Sequence, residues 1–260
     1  MKPVSVARED GLAIVSWSAP PLNLFDEAMF AGLEAAVDAL EADLPRAVLF
    51  ASEGKVVSAG VDVRTVFDAL VGDAEAGKAL WRRLVALTRR VEALPCPTVL
   101  AAHGLCLTAA FELALGCDLI LAARSARFGL VETVVGLTPS MGGTQRLVER
   151  AGPGRARELV MTGELFDAGT LERWNVVNRV LEDDGFAEAA RAFAARLAAG
   201  PTRAHAATKA VVRATLDGGV DAGDKTVVAV SGELFATEDL AGAVRSFLEQ
   251  GPGKATYAGR

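Results

Sequence analysis

An apolar stretch at residues 98–123 most constrains what this chain can fold into, because it is long enough to cross a membrane yet carries polar interruptions. Glu112 and Asp118 would place charges at bilayer depth, which is costly, and Gly104 breaks the run just after His103. We therefore expect the stretch to lie in the core of a soluble protein. Its predicted elements are a strand at 98–102, a loop at 103–108, a short helix at 109–116 and a strand at 118–122.

The residues before this stretch alternate between strand and helix patterns. Two β-rich segments flank Asp10-Gly11, a dipeptide typical of a hairpin turn. Asp26 is predicted to open a helix, and Pro95 and Pro97 are predicted to end a second one. Together these segments predict a layered α/β core with crossover connections. The predicted strands are 4–8, 12–17 and 46–51, and the predicted helices are 26–42 and 74–94.

The sequence becomes mainly helical after Gly142. Thr237 is predicted to be the N-cap of the last of these helices, since Glu238 and Asp239 follow it and complement the helix dipole. We expect an α/β core at residues 1–195 and a helical region at 196–260 that covers a site or a subunit interface. The predicted helices are 143–150, 154–162, 185–199, 201–216, 221–234 and 237–250.

The composition excludes several classes of partner. The formal net charge is −6, and no basic block is present, so we expect no nucleic acid to bind. The 3 cysteines and 2 histidines show no metal-ligand spacing, so we expect no metal site. Reduced thiols and an N-terminus without an apolar signal region predict a cytoplasmic protein that is not bound to a membrane.

Two glycine-containing loops each follow a predicted strand, and two glutamates lie beside them in apolar surroundings. Residues 58–62, SAGVD, resemble the first oxyanion-hole loop of the crotonase (enoyl-CoA hydratase/isomerase) family. Residues 101–115, AAHGLCLTAAFELAL, resemble its second loop and the helix that follows. The resemblance continues in order through four further segments. These are 128–132 (FGLVE), 136–147 (GLTPSMGGTQRL), 171–178 (LERWNVVN) and 235–239 (FATED).

The resemblance implies a crotonase-like α/β fold, a spiral of repeated ββα units with a helical C-terminal trimerisation region. It also implies an acyl-coenzyme A thioester as substrate and a homotrimer or a dimer of trimers. In the family, two backbone N–H groups stabilise negative charge on the thioester oxygen, and these correspond to the N–H groups of Val61 and Ala109. The family's two hydratase glutamates, which hold water and move its proton, correspond to Glu112 and Glu132.

The resemblance further assigns residues that would contact the substrate. Lys55 and Lys254 match lysines that can lie near the nucleotide of coenzyme A, although an exposed lysine is usually just solvated. The other predicted substrate-binding residues are Ala59, Gly60, Asp62, Gly104, Thr108 and Gly136. We expect Gly60 and Gly104 to let the backbone approach the ligand closely.

One departure from the family pattern affects the second loop. Thr108-Ala109-Ala110 stands where the family commonly has a run of glycines. The Ala109 N–H remains available, since any residue except proline supplies one. If the backbone requires a positive φ at Thr108, that residue would be strained, and the added side chains would narrow the acyl pocket.

We predict an enoyl-CoA hydratase that adds water reversibly to a trans-2-enoyl-CoA, with no cofactor beyond the coenzyme A of the substrate. Two alternatives stay open. An enoyl-CoA isomerase or a carnitinyl-CoA dehydratase would keep the fold and change the reaction. A non-catalytic acyl-CoA-binding homologue is suggested by the altered second loop, and two carboxylates in an apolar site argue against it. Taken singly, Glu112 could serve as a helix N-terminal dipole partner and Glu132 as a surface residue.

Overall fold

The computed structural model describes residues 2–260. Nine strands are present in this part of the chain. They are β1 (Val4–Glu9), β2 (Leu12–Trp17), β3 (Ala47–Ser52), β4 (Thr98–Ala102), β5 (Leu105–Leu107), β6 (Leu119–Ala123), β7 (Arg127–Gly129), β8 (Phe166–Asp167) and β9 (Arg179–Leu181).

The strands form two sheets. The larger has six strands in the order β1-β2-β3-β4-β6-β9, and all its neighbours are parallel except the β1-β2 hairpin. The smaller has the order β5-β7-β8, with β5 parallel to β7 and β7 antiparallel to β8. The predicted hairpin is confirmed, because Glu9 pairs with Leu12 and the turn residues Asp10 and Gly11 have φ values of 45° and 83°.

Nine α-helices connect and cover these sheets within the described residues. They are α1 (Glu27–Ala42), α2 (Val63–Val66), α3 (Ala74–Ala93), α4 (Ala109–Leu115), α5 (Gly143–Thr162), α6 (Ala168–Arg173), α7 (Phe186–Ala198), α8 (Thr202–Leu234) and α9 (Glu238–Gln250). Two short 3₁₀ helices lie at Asp68–Leu70 and Glu132–Val135. The helices predicted at 143–150 and 154–162 form α5, which is interrupted at Gly152, and those predicted at 201–216 and 221–234 form α8, which is interrupted at Gly219.

The core lies on both faces of the central strands β3 and β4. Val48, Phe50, Val99 and Leu100 are fully buried there, as expected for parallel strands covered by helices on both sides. Helix α1 begins at Asp26, whose side chain accepts a hydrogen bond from the Met29 N–H, and it buries one apolar face on the sheet. The buried residues of that face are Met29, Phe30, Leu33, Ala36, Val37 and Leu40.

The C-terminal helices contribute little to this core. Helix α8 buries Ala207 and Gly223, and α9 buries Asp239. An ion pair joins α8 to the core, with Lys209 Nζ 2.7 Å from Asp118 Oδ2. The architecture is therefore α/β with a helical C-terminal region, as predicted. Helix α7 continues to Ala198, so it extends three residues past the domain boundary predicted after residue 195.

The apolar stretch at 98–123 forms β4, β5, α4 and β6, so strand β5 replaces part of the predicted loop. Within residues 2–260, no helix has both the length and the apolar character needed to span a bilayer.

Replacing Phe50 by alanine should lower the free energy of unfolding by about 3–5 kcal/mol, because the side chain is fully buried in a central strand and its loss leaves a cavity. Chemical denaturation monitored by circular dichroism measures this change. The matched control is Val71→Ala, since Val71 is 82% exposed. Equal effects of the two substitutions would contradict the placement of β3 in the core.

Candidate active site

An apolar cavity opens between the loop that follows β3, the start of α4 and the 3₁₀ helix at 132–135. It encloses about 760 Å³, its open mouth included. Most of its wall is apolar and a few polar side chains line it as well, which is the usual composition of a small-molecule site. The polar side chains are Thr108, Glu112, Glu132, Thr138 and Ser140, and the apolar side chains include Phe30, Phe67, Trp81, Leu84, Val131, Leu137 and Met141.

The first loop, residues 58–62, has one backbone N–H group that is not hydrogen-bonded within the described part of the protein. Hydrogen bonds to the neighbouring segment 22–25 occupy the N–H groups of Ala59 and Asp62, at 2.9 and 3.0 Å. The Gly60 N–H is bonded within the loop at 3.0 Å. The N–H of Val61, which lies between them, has no protein acceptor among residues 2–260. It is therefore available to a ligand in the cavity that Val61 lines.

Asn23 holds the segment beside this loop, and the sequence assigned it no role. Its φ is 49°, a left-handed conformation that asparagine tolerates better than most residues. The buried amide accepts a hydrogen bond from the Ala19 N–H at 2.7 Å and donates to the carbonyls of Glu53 and Val56, each at 2.8 Å. A buried side chain with this many main-chain partners fixes the course of both segments.

The second loop presents another unbonded N–H group. Both backbone polar groups of Thr108 are hydrogen-bonded. Its N–H donates to Gly129 O at 3.0 Å, and its carbonyl oxygen accepts from the Glu112 N–H at 2.8 Å. Ala109 is the first residue of α4, where an N–H has no intrahelical acceptor. No other protein acceptor within residues 2–260 faces it. The Ala109 N–H is therefore available to a ligand in the cavity that Ala109 lines, and it lies at the N-terminus of a helix, where the dipole favours negative charge.

Main-chain hydrogen bonds tie the two loops together. The Ser58 N–H donates to Leu105 O at 3.0 Å, and the Leu107 N–H donates to Ser58 O at 3.1 Å. The first loop thus pairs in parallel with β5, the strand that leads into the second loop. This pairing fixes the distance and orientation between the two open N–H groups, so the donors are organised before any ligand binds.

Thr108 has a positive φ, the condition under which the sequence predicted strain at this residue. Its φ and ψ are 47° and −119°, a region that β-branched residues rarely adopt. Such a conformation costs about 1–3 kcal/mol and persists only where the surroundings impose it. The loop has therefore kept a glycine-like backbone and carries the resulting strain.

Glu112 and Glu132 both line the cavity. Glu112 is in the first turn of α4 and is 3% exposed. Its Oε2 accepts hydrogen bonds from the N–H groups of Met141 and Gly143, at 2.8 and 2.7 Å. Glu132 begins the 3₁₀ helix, and its buried Oε2 has no partner among residues 2–260.

Burial makes both carboxyl groups hard to ionise. The pKa of Glu112 is raised to about 8, first by loss of solvation and then by the charge of Glu132, while the backbone donors at Gly143 and Met141 oppose the rise. Loss of solvation raises the pKa of Glu132 to about 7. Near neutral pH the pair therefore carries about one proton, which suits transfer of a proton to and from a ligand.

Two predicted substrate-binding residues support the loops from outside the cavity wall. Asp62 caps helix α2 by accepting hydrogen bonds from the N–H groups of Arg64 and Thr65. Gly104 has a φ of 57°, and a Cβ there would lie 2.2 Å from Lys55 O. Gly104 thus allows close approach of the backbone at Lys55, just before the first loop, and its expected approach to a ligand stays a prediction.

Three other predicted residues also lie outside the residues that line the cavity. Gly136 ends the 3₁₀ helix with a φ of 74°. Lys55 and Lys254 are both exposed, Lys55 before the first loop and Lys254 in the tail after α9. Ala59, Gly60, Val61, Thr108, Ala109, Glu112 and Glu132 are the predicted residues that the structure brings together around the cavity.

A family model described as "Enoyl-CoA hydratase/isomerase" matches residues 7–258 of the sequence. The chain belongs to the enoyl-CoA hydratase/isomerase family. Crotonyl-CoA hydratase of Syntrophomonas wolfei, a relative in this family, is 28% identical over 250 residues and is covered to 95%, as is this chain.

Solved structures of family members have the same fold. Enoyl-CoA hydratase subunit I of Geobacillus kaustophilus is 30% identical, with a TM-score of 0.90 over 99% of this chain and 98% of that one. Enoyl-CoA hydratase of Bacillus anthracis is 25% identical, with a TM-score of 0.90 over 99% of this chain and 100% of that one. The crotonase-like fold predicted from the sequence is confirmed.

The raised pKa of Glu112 predicts how this family member responds to pH. In the unfolded chain this carboxyl loses its proton near pH 4.5, whereas in the folded protein it keeps the proton up to about pH 8. Between these two pH values the folded state binds more protons than the unfolded state, so the free energy of unfolding falls as the pH rises. Over that window the group accounts for a loss of roughly 3–5 kcal/mol.

Denaturation at about pH 5 and about pH 9 measures this loss. The Glu112→Gln variant cannot ionise at this position, and it should lose several kcal/mol less stability than the wild type between the two pH values. An equal loss in both proteins would show that Glu112 is not buried as a neutral acid.

Proposed function

We propose that this chain is an enoyl-CoA hydratase that adds water reversibly, in the syn sense, to a trans-2-enoyl-CoA. The observation that carries the proposal is the presence of two unbonded N–H groups and two protonatable glutamates in one apolar cavity. Family membership supplies the acyl-CoA substrate class.

The N–H groups of Val61 and Ala109 act on the thioester carbonyl. Attack of water on the β-carbon moves electrons onto the carbonyl oxygen and produces an enolate. Donors that already point at that oxygen stabilise the charge without reorganising, and removal of one such donor costs about 3–4 kcal/mol in comparable sites. The N-terminus of α4 adds a favourable dipole behind the Ala109 donor.

Glu112 and Glu132 divide the proton transfers of the reaction. Hydration takes one proton from water and places one proton on the α-carbon. A pair that holds one proton contains one ionised carboxylate, which accepts the proton of the attacking water, and one carboxylic acid, which donates to the α-carbon. After the step the pair again holds one proton, which now lies on the carboxyl group that accepted it from water, and proton transfer between the two carboxyl groups restores the starting state.

Two lysines and the apolar wall of the cavity bind the rest of the substrate. Coenzyme A enters as part of the thioester, and no separate cofactor is required. Lys55 and Lys254 pair with its phosphates through their exposed ammonium groups. The apolar wall of the cavity takes the acyl chain.

The assembly we propose is a homotrimer or a dimer of such trimers, located in the cytoplasm. Apolar side chains exposed on α8 and α9 support an interface between copies of the chain. They include Val212, Leu216, Val220, Val228, Val244, Phe247 and Leu248. The three cysteines are free and buried, which supports a reducing compartment.

Replacing Glu132 by glutamine should lower kcat for hydration of crotonyl-CoA by a factor of about 10²–10⁴, because the variant loses a proton-transfer group and keeps its shape. Loss of absorbance of the conjugated thioester measures the rate. Calorimetric titration with the saturated butyryl-CoA should show unchanged binding.

The control is Glu188→Gln, which changes an exposed glutamate on α7 and should leave the rate unchanged. Turnover by Glu132→Gln within a few-fold of the wild type would sink the assignment. Retained binding without turnover of any thioester by the wild type would favour the acyl-CoA-binding alternative.

One observation favours a second candidate, isomerisation of a 3-enoyl-CoA to a 2-enoyl-CoA. Glu112 already commits Oε2 to two backbone N–H groups, whereas Oε2 of Glu132 is unpartnered. Proton transfer by Glu132 alone would move a double bond without water. Glu112→Gln should abolish hydration in a hydratase and should spare conversion of 3-hexenoyl-CoA in an isomerase, and chromatography of the products distinguishes the two.

A further inference from the structure

The side chain of Thr108 lies between the two loops that carry the open N–H groups. Thr108 immediately precedes Ala109, and Gly60 immediately precedes Val61. A Cβ built on Gly60 would lie 3.1 Å from Thr108 Oγ1 and 3.6 Å from its Cγ2. The threonine therefore packs across the gap between the loops, next to both donors, and it lines the same cavity.

The Thr108 hydroxyl has no partner within the protein. The residue is 7% exposed, and Oγ1 is buried without a hydrogen bond among residues 2–260. A hydroxyl can donate one hydrogen bond and accept two, and leaving it unpaired in a buried place is unfavourable. The backbone N–H and carbonyl of Thr108 are already hydrogen-bonded to Gly129 and Glu112, so they do not serve as partners for the hydroxyl.

The backbone conformation holds the hydroxyl in this place. Thr108 sits at a φ of 47° because its N–H and carbonyl are fixed by β7 and α4. A small apolar residue, or glycine, would fill the position without an orphaned polar atom. A strained residue with an unpaired, buried hydroxyl beside two open donors indicates a ligand atom as the missing partner.

We propose that Thr108 Oγ1 donates a third hydrogen bond to the thioester carbonyl oxygen, alongside the N–H groups of Val61 and Ala109. The inference rests on the proposed acyl-CoA function and adds a side-chain donor to a site otherwise made of backbone groups. The bond strengthens as the oxygen becomes an enolate, so it acts on the chemical step more than on ground-state binding.

Infrared difference spectra of bound butyryl-CoA with a ¹³C-labelled carbonyl test the proposal, because each hydrogen bond to the carbonyl lowers its stretching frequency. Thr108→Val keeps the shape and removes the donor, and Thr108→Ser keeps the donor. The valine variant should show a smaller downward shift than the wild type, and the serine variant should show the full shift.

The kinetic expectation follows the same pattern. Thr108→Val should lower kcat/KM for crotonyl-CoA by about 10²- to 10³-fold, mainly through kcat, as loss of an oxyanion donor does. Thr108→Gly relieves the backbone and also lacks the hydroxyl, so it should fold and show the same loss. Thr208→Val, which removes an exposed hydroxyl from α8, should behave as the wild type.

The outcomes separate this inference from the proposed function. If Thr108→Val keeps the full carbonyl shift and the wild-type rate, the third donor is refuted and the hydratase proposal stands. If Thr108→Ser loses as much as Thr108→Val, the methyl group positions the loop and the hydroxyl does not donate. If the wild type binds no acyl-CoA, both proposals fail together.

Discussion

The main-chain hydrogen bonds of the two loops determine which N–H groups beside the cavity are free to bind a ligand. The segment at 22–25 and strand β5 bond the first loop from two sides, and β7 and α4 bond the second, so the N–H groups of Val61 and Ala109 are left without protein acceptors. A buried N–H needs an acceptor. Strand pairing thus leaves two N–H groups beside the cavity without protein acceptors among residues 2–260, which is the basis of the proposed oxyanion site, and any residue except proline could supply either N–H.

The glutamates are placed by the same elements and acquire their properties from burial. Helix α4 carries both Ala109 and Glu112, so the open N–H group and the buried carboxyl group are one turn apart on a rigid element. Close packing of Gly143 against Glu112 allows the backbone of α5 to bond the carboxylate, since a Cβ at Gly143 would lie 2.7 Å from Glu112 Cγ. Apolar walls then raise both pKa values toward neutrality.

Much of this could be predicted from the sequence, because periodicity and local turn chemistry report nearby interactions. The hairpin at Asp10-Gly11, the Asp26 cap and the α/β class are confirmed on that basis, whereas the crotonase-like fold, also confirmed, was implied by the family resemblance. Strand β5 was missed because three residues in a second sheet carry no periodic signal. The tertiary partners of Asn23 and Gly104 were also missed, since both depend on segments distant in sequence. The roles of the site residues and of Lys254 stay predictions.

The most direct test of the account is a crystal structure of the protein with butyryl-CoA bound. The account predicts that the thioester oxygen lies about 2.7–3.2 Å from both the Val61 and the Ala109 nitrogen atoms, with the acyl chain between Glu112 and Glu132. A thioester oxygen bonded elsewhere, with either N–H occupied by another protein group, would contradict it.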